Sequence, residues 1–145
     1  MIDYDKLFFS LNIMPREEAR IGHICSLLKQ LWNFHHKMEF CDLLATHLFT
    51  EELRDPFGDI WFIEDSELED ILKEKVKTLP QAETESKLSM IRLAIIDKLE
   101  KLWKKYTDQR LGQLLSNYVV GNASDYPPGQ MFSLKDPIVL TRLNN

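Results

Sequence analysis

Cysteine, glycine, any excess of positive charge and long apolar runs are all scarce or lacking in this chain, and each lack removes a class of protein. Two cysteines in 145 residues, Cys25 and Cys41, do not imply a disulfide scaffold. Five scattered glycines leave no Gly-rich loop that could cradle a phosphate. No apolar stretch approaches the roughly 18 residues that a membrane span needs. The opening Met1-Ile2-Asp3-Tyr4-Asp5-Lys6 lacks the basic start and small-residue cleavage site of a secretory signal. A cytoplasmic, reduced protein away from membranes is therefore expected. Lys and Arg number 18 against 23 Asp and Glu, a net charge of −5, which argues against direct nucleic-acid contact. Lys98, Lys101, Lys104 and Lys105 do form a basic stretch. They alternate with Leu99, Leu102 and Trp103, as on the solvated face of a helix.

What the chain does contain is a self-similarity. Residues 24–72 laid over 95–143, a shift of 71 without a gap, match at ten positions. Ile24, Leu28, Leu31 and Trp32 meet Ile95, Leu99, Leu102 and Trp103, and Leu43 and Leu44 meet Leu114 and Leu115. Pro56 and Gly58 meet Pro127 and Gly129, Asp65 meets Asp136, and Leu72 meets Leu143. The matches fall on helix-core, turn and cap positions. The expectation is one domain, 1–145, with repeat units at about 15–79 and 84–145 and an apolar arm, 1–14, docked on the body.

Apolar spacing gives each unit the same plan. Pro15-Arg16-Glu17-Glu18 suits a helix start, and Ile21, Ile24, Cys25, Leu28, Leu31 and Trp32 follow at intervals of three and four, one buried stripe. A second helix is expected over 38–49, burying Phe40, Leu43, Leu44 and Leu48. Asp55-Pro56-Phe57-Gly58-Asp59 is a turn by composition. Ile60-Trp61-Phe62-Ile63, aromatic and β-branched, reads as a strand stub. Ser66 with Glu69 reads as a capping box opening a helix through Leu68, Ile71, Leu72 and Val76. In the second unit a long helix is expected over 84–106, burying Leu88, Ile91, Ile95, Leu99, Leu102 and Trp103. Asp108 is expected to cap the next helix, which stops near Gly121. Residues 131–134 form the matching stub, and Asp136-Pro137 starts the last helix. The fold expected is all-α: two pseudo-symmetric helix–helix–stub–helix units sharing a core, with the two stubs pairing as one short ribbon.

Chemistry is thinly signalled. All four histidines and both cysteines lie between positions 23 and 47: His23, Cys25, His35, His36, Cys41 and His47. Imidazole and thiolate are zinc ligands, but no tight Cys-x-x-Cys knuckle is present. Cys25 and Cys41 also align with Ile96 and Gly112, as core residues would. No cofactor is expected on balance, and no nucleophile, base or paired-carboxylate arrangement marks an enzyme. Arg110, Gln113 and Asn117 share one helix face, and their counterparts Glu39, Asp42 and Thr46 invite an Arg110–Glu39 bridge between units.

Trp103, then Arg110-Leu111-Gly112-Gln113-Leu114 and Asn117, with the Trp61-Phe62-Ile63-Glu64-Asp65 segment of the first unit, resembles a group of uncharacterised small helical bacterial and phage proteins. Their pattern is a Trp, Arg-Leu-Gly-Gln-Leu, an Asn and an aromatic–acidic tail. The second unit keeps the Arg-Leu-Gly-Gln element, and the first keeps the tail but carries Glu39-Phe40-Cys41-Asp42 instead. The resemblance implies a helical fold and a mobile-element origin, and it transfers no catalytic residue.

The functional expectation is a non-enzymatic protein-binding module, a phage or prophage accessory or inhibitor of the immunity or anti-defence type, acting on a basic protein partner. Its contact residues would be Asp59, Trp61, Glu64, Asp65, Glu67, Arg110, Gln113 and Asn117, since aromatics ringed by acid are common interface anchors. The alternatives are a zinc-binding protein using the His/Cys cluster, or an oligomerising subunit that docks its arm on a neighbour.

Overall fold

The computed structural model describes residues 18–50, 52–53, 60–80, 86–121 and 134–144. It is all-α, with six helices and no strand among those residues: α1 (Glu18–Phe34), α2 (Phe40–His47), α3 (Asp65–Lys77), α4 (Met90–Lys105), α5 (Leu111–Leu115) and α6 (Asp136–Leu143). The expected arm, 1–14, and the turn at residues 55–59 lie outside the described residues.

The long helices form because their apolar stripes are continuous. α1 buries Ile21, Ile24, Cys25, Leu27, Leu28, Leu31 and Trp32, and α4 buries Ile95, Ile96, Leu99 and Trp103. Each such side chain, fully buried, contributes about 1.5–3 kcal/mol relative to exposure. The two helices are antiparallel. A Cβ added at Gly22 would lie 3.7 Å from Glu100 Oε2, while the Lys87 amide donates to Asn33 Oδ1 at 2.5 Å. α3 packs on α1 and α6 on α4, so the α1–α4 pair is the spine.

Both tryptophans do more than fill the core. Trp32 Nε1 donates to Met38 O at 2.8 Å, and Trp103 Nε1 to Gln109 O at 2.9 Å, so each indole pins the turn that follows its helix. Each pinned turn then delivers an extended residue, Glu39 (φ −70°, ψ 158°) or Arg110 (φ −70°, ψ 159°), that starts the next short helix. These pairs stand 71 residues apart. The short helices end in a widened turn as well. The Phe49 amide reaches back five residues to Leu44 O, and α5 runs into a π-helical turn, Ser116–Val120. Gly121 ends that turn at φ 76° and ψ −161°, a positive-φ conformation open to glycine but not the left-handed helical stop expected there.

Several expected boundaries move, each for a local reason. α4 begins at Met90 rather than near 84, because Ser89 caps it by accepting the Arg92 amide at 3.3 Å. Leu88 is buried ahead of the helix, and Ile91 is 46% exposed rather than core. α5 starts from Arg110, not Asp108, and α3 from Glu64, which places Ser66 inside the helix rather than at its cap. Ile60-Trp61-Phe62-Ile63 is a turn, not a strand: Ile63 N donates to Ile60 O at 3.2 Å. The ribbon that would have used this segment therefore does not form; residues 131–133 of its intended partner lie outside the described residues.

Candidate functional site

The turn at residues 60–63 is the start of the site. Its two ends, Ile60 and Ile63, are buried, which turns the intervening aromatics outward: Trp61 is half-buried and Phe62 is 74% exposed. A chain reversing over three residues with apolar ends presents whatever lies between them. The turn is clamped from α5. Arg110 Nη2 and Nε donate to Trp61 O at 3.1 and 3.3 Å, and Nη1 lies 4.0 Å from Glu64 Oε2. The expected Arg110–Glu39 bridge is not made, because this guanidinium is committed to the turn.

The first turn of α5 is sealed against the same segment. The Leu111 amide donates to Asp65 Oδ1 at 2.9 Å, and the Arg110 amide to Gln113 Oε1 at 2.8 Å. Helix starts leave such amides without intrahelical partners, and a side-chain acceptor typically stabilises by about 1 kcal/mol. Gly112 lets the backbones close up: a Cβ there would stand 2.1 Å from Ile60 O. Arg110, Leu111 and Gly112 thus each have a defined role against Trp61 and its neighbours, while Gln113 holds the Arg110 amide.

Of the residues singled out in the sequence, Trp61, Glu64, Asp65, Arg110 and Gln113 are brought together. Asp65 and Gln113 are capping groups there rather than free contact residues. Glu67 is exposed in the first turn of α3, and Asn117 is exposed on the π turn, where its Nδ2 donates to Gln109 Oε1 at 2.9 Å. Asp59 lies outside the described residues. Phe62, the most outward aromatic, and Gly112 were not singled out. The three-residue spacing of Ile60 and Ile63 was the available signal for the turn that exposes Phe62.

A second polar joint stands at the start of α2. The Phe40 amide donates to Asp136 Oδ1 at 2.7 Å, and Arg92 Nε donates to Asp136 Oδ2 at 2.8 Å. Asp136, read with Pro137 as the start of the last helix, is the first residue of α6, and its carboxylate caps α2. Arg92 also donates to His36 O, lies 3.6 Å from Glu39, and places its guanidinium carbon 5.2 Å from the centre of the Trp32 ring. A hydrogen bond with the Asp136 carboxylate, helped by burial, holds Glu39 above its usual pKa. Arg92 was not singled out in the sequence; the signal available was its place as the one charge amid Ile91, Leu93, Ile95 and Ile96.

The histidines and cysteines do not converge. Among the described residues no three His, Cys, Asp or Glu side chains could hold a metal ion together. His35 and His47 stack with ring centres 4.3 Å apart, while His23 Nδ1 meets Glu69 Oε2 at 2.8 Å. Cys25 and Cys41 are free and buried, and burial pushes both thiols up to about 12. A thiolate ligand or nucleophile needs the opposite shift.

No helix among the described residues is long and apolar enough to cross a membrane. The chain matches no protein-family model, and no curated protein and no solved structure matches it significantly.

Proposed function

We propose that the chain is a protein-binding module whose contact face is the clamped turn carrying Trp61 and Phe62 with the adjoining acidic start of α3, and that its partner is basic. The observation that carries this reading is Phe62, 74% exposed on a turn whose backbone is gripped by Arg110. A large aromatic held outward by a rigid support loses little conformational entropy on binding, which is what interface anchors require. Glu64 and Glu67 are exposed beside it, and Glu64 and Asp65 precede or open α3, where acidic groups are favoured by the helix dipole. Such a face suits a partner with Lys or Arg around an apolar pocket, with the net charge of −5 assisting encounter. An inhibitor that occludes a basic surface, of the immunity or anti-defence type, is the specific form of this reading.

The test is affinity capture with the tagged chain from host-cell lysate at low and high salt, alongside Phe62→Ala. The expected result is one basic protein, retained at low salt, weakened by salt and lost with Phe62→Ala. Capture that ignores both the salt and the substitution would sink the reading.

A further inference from the structure

The two polar joints described above share one property: each connects the first half of the chain to the second. Asp65, at the start of α3, caps α5 through the Leu111 amide; Asp136, at the start of α6, caps α2 through the Phe40 amide. The donors stand 71 residues apart and so do the acceptors, so the exchange is reciprocal. Around each cap the traffic is also between halves. Arg110 grips Trp61 O and Gly112 abuts Ile60 O at one joint; Arg92 holds Asp136 of its own half against His36 O and Glu39 of the other at the second.

The helices being capped are too short to stand alone. α2 has eight residues and α5 five, well short of the roughly 12–15 at which an isolated helix becomes marginal in water. A half of about 60 residues is a marginal unit for burying its own surface, so open amides at a helix start weigh heavily on it. The Trp…Arg-Leu-Gly-Gln element and the aromatic–acidic segment of the sequence are thereby two sides of one joint, contributed by different halves. The second joint carries Glu39-Phe40-Cys41-Asp42 in place of Arg-Leu-Gly-Gln, and Arg92 provides the guanidinium from another helix.

We propose that the chain is an intramolecular dimer: each half supplies the carboxylate that caps the other's short helix, neither half keeps its fold alone, and the two stay bound when the connection between them is cut. The inference does not depend on the partner-binding reading.

The experiment inserts a protease site between Pro80 and Ser86 of the full chain and cuts it after folding. The two pieces are expected to migrate as one particle with the helical circular dichroism of the uncut chain, and to show a melting temperature that falls on dilution, as a bimolecular complex must. Pieces that separate while each keeps its helical signal would overturn the proposal, as would a melting temperature indifferent to dilution or loss of structure on cutting at every concentration. Hydrogen exchange on the uncut chain tests the reciprocal capping without any insertion. Asp65→Ala should speed exchange at the Leu111 amide, and Asp136→Ala at the Phe40 amide, by about tenfold or more, each in the half opposite the substitution. Acceleration confined to the substituted half would overturn it equally.

Discussion

Gly22 and Gly112 both sit inside helices, yet alanine should act on them in opposite directions. At Gly22 the new Cβ meets only Glu100 Oε2 at 3.7 Å, an ordinary contact, so the gain in helix propensity of about 0.5–1 kcal/mol should appear as added stability. At Gly112 the same atom would stand 2.1 Å from Ile60 O, a backbone atom that cannot swing aside. Gly112→Ala should cost about 2–4 kcal/mol and release the clamped turn. Urea unfolding of the two variants checks both signs; a neutral Gly112→Ala would mean that the α5–turn contact is loose. Arg92 offers a second contrast. It and Asp136 are mostly buried, whereas Lys101 and Asp97, 3.0 Å apart on α4, are exposed. Arg92→Ala should destabilise by about 3 kcal/mol because it strands a buried carboxylate, and Lys101→Ala by less than about 0.5 kcal/mol. The same denaturation series reads both. The buried thiols, at about 12, should stay unreactive toward a thiol reagent at pH 8 until denaturant is added; labelling of Cys25 or Cys41 in the native chain would show that the core opens there.

At the scale of elements, the stripes of α1 and α2 were legible because an apolar period of three to four has one structural meaning, and that of α4 only in part, since Ile91 is exposed and Leu102 half-buried. Ile21, Ile24, Leu28, Leu31, Trp32, Phe40, Leu43 and Leu44 are all buried where spacing put them. What sequence could not give was the destination of polar groups. Asp136 before Pro137 has the form of a local cap, and Ser66 with Glu69 the form of a capping box. Nothing local says that Asp136 and Asp65 reach amides 96 and 46 residues away. The candidate site suffered the same way: its residues were named as contacts, but Arg110, Asp65 and Gln113 are spent on support. One contact between elements has a measurable pH signature. His35, just past α1, stacks on His47, the last residue of α2, with Lys75 of α3 nearby. Burial first, then neighbouring charge, lowers the pKa of both rings below the ordinary 6.5. The unfolded chain therefore takes up protons first as pH falls. Stability should be full above about pH 6.5 and decline below it, toward the depressed folded values. Urea midpoints at pH 8 and 5.5 should differ in that sense, and the His35→Gln/His47→Gln double variant should shrink the difference. Glu39, raised in the fold, works with the opposite sign and remains in that variant. An unchanged pH response would place the acid sensitivity elsewhere.

At the scale of the whole molecule, the two joints are related in position but unlike in chemistry, and the difference bears on binding. At the Arg110 joint the supported turn carries an exposed aromatic near Glu64 and Glu67; at the Arg92 joint the guanidinium is enclosed by Glu39, Asp136 and the Trp32 ring. On the partner-binding reading, the first joint builds a surface, and its two components should separate kinetically. Phe62 acts only once the partner is seated, so Phe62→Ala should raise the dissociation rate by about tenfold or more at every salt concentration. Glu64→Gln with Glu67→Gln acts before contact, so it should slow association and flatten its dependence on salt, with dissociation little changed. Surface plasmon resonance with the captured partner, at two ionic strengths, measures all four quantities. Gly112→Ala joins the series as a test of support rather than contact: it leaves Phe62 and both acids in place but loosens the turn beneath them. If rigidity of that turn matters to binding, Gly112→Ala should mimic Phe62→Ala in dissociation while leaving the salt dependence of association intact. Full affinity in that variant would mean that the partner does not need the turn held, and the link from Arg-Leu-Gly-Gln to recognition would fail.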